Sequence, residues 1–512
     1  MTLPPLGPGV PTAPIALAGD PEAVTGHLGV EPVSITPDLL DALRSACPDV
    51  RTDATERADA SRDWWPLAMT WALDNQVGAV AGVVVAPSTV DEVCAVMAIC
   101  HQHRIPVTAA GGRSGVCGAS IPVFGGVVLD LCALSGIRSV DDVSLLLDVL
   151  PGTFGDHLEH ELRTTYGLTT GHWPQSVTLS TVGGWVACRG AGQLSNKYGK
   201  IEDMVVGLDV VLADGTLIVT GGNARQAAGP DLTEVFVGSE GTLGVIVGVR
   251  MRLHPRPTAE GHAAYGFDSF ADASDACRRM LRRGLAPAVL RVYDHAEAKR
   301  NFGIEDHAVL LVLDEGDPVV VDAAMAIAAD ECRGTTELPV ELVARWLEHR
   351  NDVAALEHLI SGGLVVDTME ITVAWDQVGP TYDAAVAAIG AVDGVLAATA
   401  HLSHSYTDGA CLYFTFAGKP DDKDAFYRQV WDAGTRTVLA HGGSLSHHHG
   451  VGLNRGRFMR EALGPAFDAL VAVKAALDPH GICNPGKLGF DSPFGPAPFA
   501  GDDAHGASGA SA

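Results

Sequence analysis

The feature that most restricts this chain is a set of small-residue blocks that recur in fixed order along it. A short strand signal, Pro106-Val107-Thr108, runs through Ala109 and Ala110 into Gly111-Gly112-Arg113-Ser114-Gly115. Consecutive glycines after a strand let backbone N–H groups turn inward and approach a diphosphate closely. The block is neither a GxGxxG dinucleotide fingerprint nor a phosphate loop ending in Gly-Lys-Ser/Thr. On its own it reads equally well as a tight turn. Three further blocks follow it. The first is Gln175, Ser176, Val177, Thr178, Leu179, Ser180 and Thr181, ahead of Gly183-Gly184-Trp185. The second is Tyr198-Gly199-Lys200-Ile201-Glu202-Asp203, and the third is Gly238, Ser239, Glu240, Gly241, Thr242, Leu243 and Gly244. Hydroxyls beside paired glycines permit close approach of a flat ligand. The order and spacing of the blocks, joined by an Asp214-Gly215 hairpin signal, argue against chance.

The stretches between the blocks alternate strand and helix signals. Val83-Val84-Val85 is a short apolar run closed by Pro87, and Ser88-Thr89 with Asp91 and Glu92 makes a capping signature. Val90, Val93, Cys94 and Met97 then fall at helical spacing. Val127–Leu129, Leu145–Val149, Val210–Leu212, Leu217–Val219 and Gly244–Leu253 read as strands, and His254-Pro255-Arg256-Pro257 as an exit from a first domain. The resulting expectation is residues 1–80 as an N-terminal extension with helices and 81–257 as the ligand-binding domain. A cap domain is expected over 258–490, with Pro479–Leu488 returning to the first domain, and a flexible tail over 491–512.

Bulk properties remove several function classes. At 512 residues the chain exceeds one hydrophobic core, and 47% apolar with 19% charged residues fits a globular enzyme. Sixty-two acidic against 34 basic residues give a net charge of −28, which repels phosphate backbones and argues against nucleic-acid binding. Local Arg or His clusters that grip one anionic substrate remain compatible with that charge. The 10 cysteines form no CxxC pair and sit in apolar runs such as Val93-Cys94-Ala95-Val96, the pattern of reduced, buried thiols. With no secretory signal and no long apolar run, a cytoplasmic protein without a transmembrane segment is expected.

From Val83 to Arg250 the chain resembles the FAD domain of the vanillyl-alcohol-oxidase or PCMH-type flavoproteins. The fold class this implies is α+β: a two-subdomain PCMH-type FAD-binding domain plus an α+β cap. The resemblance assigns the FAD diphosphate to Thr108, Ala109, Ala110, Gly111, Gly112, Arg113 and Ser114. The rest of the cofactor falls to Gln175 through Thr181, to Cys188, Arg189, Gly190 and Ala191, and to Gly238 through Gly244. Relatives that tether FAD covalently use a histidine in the first glycine loop. Arg113-Ser114-Gly115-Val116-Cys117 has none, so non-covalent FAD is expected.

The cap narrows the family. It carries Arg291, Arg350, Asp367-Thr368-Met369-Glu370, Tyr406 through Phe414, and His447-His448-His449-Gly450. This set closely resembles the alkyldihydroxyacetonephosphate synthase family, over about residues 80–488. The resemblance implies that Arg350 binds substrate and that Tyr413 is the acid/base. Arg291, His447, His448 and His449 match positions needed for activity. Physically, a guanidinium binds phosphate or carboxylate bidentately, a phenol moves a proton once activated, and imidazoles switch charge near neutral pH. Adjacent histidines in an extended chain point to opposite sides, so unequal contributions from the triplet are expected. Arg291 paired with a core carboxylate and Tyr413 as a core residue are the structural alternatives.

The reaction so implied replaces the acyl chain of acyl-dihydroxyacetone phosphate by a long-chain alcohol, with FAD and no net redox change. Its partner is a lipid-like phosphorylated small molecule, with which peripheral membrane contact is compatible. Relatives are often dimers, which implies a homodimer. The other reading is an FAD-dependent 2-hydroxyacid dehydrogenase acting on D-lactate, glycolate or D-2-hydroxyglutarate. Such relatives hold a divalent metal with a His-x-x-Gly-Asp-Gly-Asn-Leu-His run and Glu-His-Gly. Here the run reads His404-Ser405-Tyr406-Thr407-Asp408-Gly409-Ala410-Cys411-Leu412-Tyr413, and His448 replaces the acid, so no metal site is expected.

Overall fold

A computed structural model describes residues 5–499; residues 1–4 and 500–512, with the expected tail beyond 499, lie outside the described residues. Two sheets make the first lobe. In one, Val83–Val85 and Val107–Ala110 run parallel to a central Val127–Asp130, with Val50–Arg51 antiparallel at the edge. The three parallel strands are nearly continuous apolar runs because both faces are covered. Helix Val90–His103 links two of them and starts at a capping box between Thr89 and Glu92. Val93, Val96, Met97 and Cys100 form its buried stripe, while Cys94 is only half-buried.

The second sheet is antiparallel, in the order Leu217–Gly221, Val205–Val211, Val245–Arg252, Leu146–Val149 and Ile137–Asp141. Its first hairpin turns at Asp214-Gly215, where Gly215 takes φ +88° and Leu212 N–H donates to Thr216 O at 2.9 Å. The chain leaves this lobe through His254–Pro255, which pairs with Leu168–Thr169.

Seven antiparallel strands, all between Ala259 and Gly418, make the cap sheet. Their order is Thr336–Leu338, Ala259–Phe267, Ala308–Gly316, Val289–Tyr293, Val395–Ser405, Gly409–Gly418 and Val365–Ala374. Strand side chains alternate between faces. Leu290, Val292, Met369, Ile371, Leu402, Leu412 and Phe414 therefore share one core with helices Phe270–Arg282, Val378–Gly390 and Lys423–Ala440. Truncating a fully buried side chain there, such as Phe414→Ala, costs about 3–5 kcal/mol. The alternate residues Arg291, Tyr293, His401, Ser403, Tyr413 and Thr368 face the other way, toward the first lobe.

After the cap, the chain rejoins the first sheet: Val107 N–H donates to Ile482 O and Asn484 N–H to Val107 O, each at 2.8 Å. The segment expected as a tail keeps contact up to its last described residue. Phe494 packs 5.9 Å from Phe124 and Phe499 5.3 Å from Trp65, ring centre to ring centre. All ten cysteines are free thiols. Among the described residues no helix is long and apolar enough to cross a membrane.

Candidate active site

A cavity of about 930 Å3 lies between the glycine-rich loops of the first lobe and the polar face of the cap sheet. Its first wall is built from the sequence blocks. Ala109 through Ser114, Gln175, Ser176, Leu179, Ser180, Thr181, Cys188, Gly190, Ala191, Glu240, Gly241 and Gly244 line it. The first two loops close tightly on one another: a Cβ on Gly111 would run into Thr181 Oγ1, and one on Gly112 into the carbonyl oxygen of Leu179. Only glycine allows that approach.

Eight expected cofactor residues do not line the wall. Thr108 is buried inside its strand, and Val177 and Leu243 belong to apolar cores. The carbonyl of Thr178 faces Gly7 of the N-terminal arm. Arg189 is half-exposed and pairs with Glu202 at 3.2 Å. Gly238, Ser239 and Thr242 form the turn beneath Glu240, with Thr242 Oγ1 donating to Ser239 O at 2.7 Å. Glu240 itself borders the cavity, yet its carboxylate accepts N–H bonds from Val451 (2.6 Å) and Gly452 (2.8 Å). It ties the loop after the His triplet to the first lobe, and Gly450 must lack a side chain because a Cβ would strike Glu240 Oε1.

The wall also carries polar atoms with no partner. Both ring nitrogens of His172 and the hydroxyl of Thr181 are buried and unpaired, and burial lowers the His172 pKa to about 3. Buried polar groups left unpaired are rare in native proteins and point to a ligand. A long cleft of glycine loops, free hydroxyl and imidazole fits FAD. His172, two residues upstream of Pro174, was not singled out in the sequence; its place before that block was the available signal.

The second wall follows strand alternation. Neighbouring strands register Tyr293 against His401, His401 against Tyr413, and Tyr413 against Glu370, so these side chains form a row across the sheet. Tyr413 is stacked between His401, at 4.9 Å, and His448, at 6.0 Å, and accepts a hydrogen bond from Thr368 Oγ1 at 3.0 Å. Burial pushes its phenol pKa up, so as folded it keeps its proton. Arg291 donates to His401, the ring stacked on Tyr413.

The triplet divides. His448 and His449 line the cavity, whereas His447 turns away: its Nε2 is 2.8 Å from Tyr406 OH and its Nδ1 is 2.8 Å from His448 Nδ1. Tyr406 continues to Ser195 Oγ at 2.8 Å, and Ser195 to His404 Nδ1 at 2.9 Å. Burial lowers the pKa of His447 to about 3 and holds His404 and His448 well below the ordinary imidazole value. These rings are neutral. His404, His447 and His448 also bring one ligand nitrogen each within 4.8 Å of one another, a set that could hold a metal ion. The sequence argued against metal ligands here; the fold nonetheless gathers three imidazoles, because His404 on the cap strand meets the triplet loop.

The triplet is shaped by Glu370, to which no local motif assigns a role. Its Oε1 accepts the backbone N–H groups of His447 (3.2 Å), His448 (3.0 Å) and His449 (2.7 Å) and the hydroxyl of Ser446 (2.6 Å). Arg455, equally buried, ion-pairs with it. Burial opposes the charge of Glu370, but Arg455 and His449 outweigh it and hold the carboxyl well below its usual range.

Arg291 and Arg350 meet at one side of the cavity. Both guanidiniums lie over Trp346, at 5.4 and 5.8 Å, and both are buried. Arg350 donates to Gln193 Oε1 at 2.9 Å, and burial lowers its pKa to about 10, so it remains a cation at neutral pH. Elsewhere on the wall Leu356, Leu359, Leu364, Val366 and Phe416 make an apolar stretch.

Two nested glycine loops facing a polar sheet across a cofactor-sized cleft define an FAD-binding flavoenzyme. The chain matches the FAD binding domain family over residues 81–221 and the FAD linked oxidases, C-terminal domain family over residues 256–488. It is 30% identical over 460 residues to alkyldihydroxyacetonephosphate synthase of Dictyostelium discoideum, covering 81% of this chain and 74% of that protein. Identity is also 30% over 437 residues to the uncharacterized FAD-linked oxidoreductase YgcU of Escherichia coli O157:H7, covering 80% and 89%. A solved structure of alkyldihydroxyacetonephosphate synthase superposes with a TM-score of 0.74 at 25% identity, covering 92% of this chain and 90% of that one. The chain belongs to the FAD-linked oxidase family of flavoproteins that includes the alkyldihydroxyacetonephosphate synthases, and FAD is its cofactor.

Proposed function

We propose that this flavoenzyme exchanges the acyl chain of acyl-dihydroxyacetone phosphate for a long-chain alcohol. The observation that carries the reading is the mixed wall opposite the cofactor cradle. Two buried cations, Arg291 and Arg350, flank Trp346, and Leu356, Leu359, Leu364, Val366 and Phe416 line the same cavity. A phosphate needs the first and an alkyl chain the second. When bound, FAD supplies an electron-accepting ring next to the substrate carbon.

In the exchange, the C1–O bond to the fatty acid breaks and a C1–O bond to the alcohol forms, with no net electron transfer. Arg350 and Arg291 orient the phosphate. The Tyr413 phenol exchanges a proton at C1; it holds its own proton as folded, so it acts on C1 only once the bound ligands lower its pKa, and the His401 and His448 rings stacked on either side fix its position. His449 is oriented by Glu370, whose Oε2 lies 3.1 Å from its Nδ1. The decisive assay incubates FAD-loaded protein anaerobically with palmitoyl-dihydroxyacetone phosphate and labelled hexadecanol, without an electron acceptor. Release of palmitate with label in an ether product supports the proposal, and absence of exchange removes it.

One observation favours a second reading. The three imidazoles of His404, His447 and His448 are close enough to hold a divalent cation, which suits oxidation of a 2-hydroxyacid. Bleaching of the flavin by D-lactate, glycolate or D-2-hydroxyglutarate, abolished by a chelator, would replace the exchange reading with this one.

A further inference from the structure

Arg291 is one end of a buried chain whose other members, His401 and Glu297, take no chemical step in the proposed reaction. Its NH2 group donates to His401 Nε2 at 2.7 Å, and His401 Nδ1 lies 2.8 Å from Glu297 Oε2. An imidazole that accepts at Nε2 donates at Nδ1, so this geometry fixes a neutral ring and one tautomer. Glu297 is itself held firmly. Its Oε1 accepts from Thr399 Oγ1 at 2.8 Å and pairs with Arg300 at 3.1 Å, and its backbone N–H donates to Asp294 at the start of its helix. Asp294 in turn accepts from Ala400 N–H and Tyr382 OH, which pins the helix His295–Phe302 to the strand carrying His401.

The result is a cation with no direct carboxylate partner among the described residues. Arg291 is 8% exposed, lines the cavity, and its Nε–H is buried without any partner among the described residues. Its long side chain would otherwise sample several rotamers at a cost in entropy on binding. We propose that Glu297 and His401 are positioning residues that lock the Arg291 guanidinium as an oxyanion clamp, leaving its Nε–H for a phosphate or carboxylate of the ligand. The carboxylate is kept one imidazole away, so that it orients the cation without neutralising it. The inference rests on the exchange reading only for the choice of a phosphate-bearing probe.

A purely structural role for His401 is the competing account, because the ring is also stacked between Tyr293, at 5.2 Å, and Tyr413, at 4.9 Å. The two roles separate by substitution. His401→Phe keeps a stacked ring and loses the acceptor, whereas His401→Gln loses the ring and keeps an acceptor for Arg291. Binding of dihydroxyacetone phosphate, and separately of D-lactate, to the FAD-loaded protein is measured by calorimetry, without turnover. His401→Phe weakens binding about tenfold or more, and His401→Gln recovers most of that loss. In an Arg291→Gln background His401→Phe has no further effect, because His401 acts only through Arg291. The flavin spectrum reports whether each variant is folded, and Glu297→Gln, which keeps the shape of the side chain, weakens binding in the same direction.

Dihydroxyacetone phosphate bound more tightly than D-lactate supports both the clamp and the exchange reading. The reverse preference with the same ranking of variants supports the clamp while removing that reading. His401→Phe binding as wild type, additive losses in the double variant, or no saturable binding of either anion to the wild-type protein overturns the clamp.

Discussion

Oε1 of Glu370 lies 2.7 Å from the backbone nitrogen of His449, and the same oxygen collects the N–H groups of His447 and His448. One buried carboxylate thus sets the path of the His triplet. It decides which rings reach the cavity, and its charge is matched by Arg455.

Glu370→Gln removes that charge at nearly constant volume and leaves Arg455 buried without its ion-pair partner. Breaking a buried pair in this way costs about 3–5 kcal/mol. We expect a lower midpoint in chemical denaturation and lower exchange activity. Wild-type stability in this variant would show that the loop is shaped by something else.

Tyr413→Phe keeps the ring between His401 and His448 and removes only the hydroxyl. Steady-state exchange assays are expected to show kcat reduced about 10²–10⁴-fold. The visible flavin spectrum and the unfolding midpoint should stay at wild-type values. Retained kcat would leave the phenol with no part in the chemistry.

His172 gives a pH dependence with a definite sign. Its folded pKa, about 3, lies below the unfolded value, so below about pH 6.5 the unfolded chain binds a proton that the folded site refuses. Stability from this group is complete above that pH and is lost as pH falls toward about 3, at up to about 1.4 kcal/mol per pH unit. Melting curves between about pH 7 and about pH 4 should therefore fall less steeply for His172→Gln than for wild type. Parallel curves would mean that another group controls the acid limb.

Gly112→Ala would drive a Cβ into the carbonyl of Leu179 and separate the two loops of the cofactor cradle. Purified protein should contain less FAD per chain than wild type, read from the ratio of visible to ultraviolet absorbance. A fully loaded variant would mean that the loops can part without loss of the cofactor.

The first lobe and the glycine-rich wall of the cavity were largely legible in the chain, because glycine placement, a capping box and an Asp-Gly turn are local instructions. Gly111, Gly112 and Gly215 are required by contacts or backbone angles within reach of short segments. Eight expected cofactor residues missed the wall for a related reason. Gln175–Thr181 folds as consecutive turns, with the N–H groups of Leu179 and Ser180 both donating to Ser176 O, so its side chains radiate in different directions and cannot all face one cavity.

What the sequence determined by itself was the set of chemical groups: glycine loops for a cofactor, two arginines, a tyrosine and a histidine triplet. Tertiary structure alone decided their assignments. The register of four cap strands places Tyr293, His401, Tyr413 and Glu370 side by side and brings Arg291 onto His401, although these residues come from stretches far apart in the sequence. It also turns His447 from the cavity toward Tyr406 and gives Glu240 to the loop of Val451 and Gly452. Pairing across strands and burial of charge are long-range properties, and neither is written in any local run of residues.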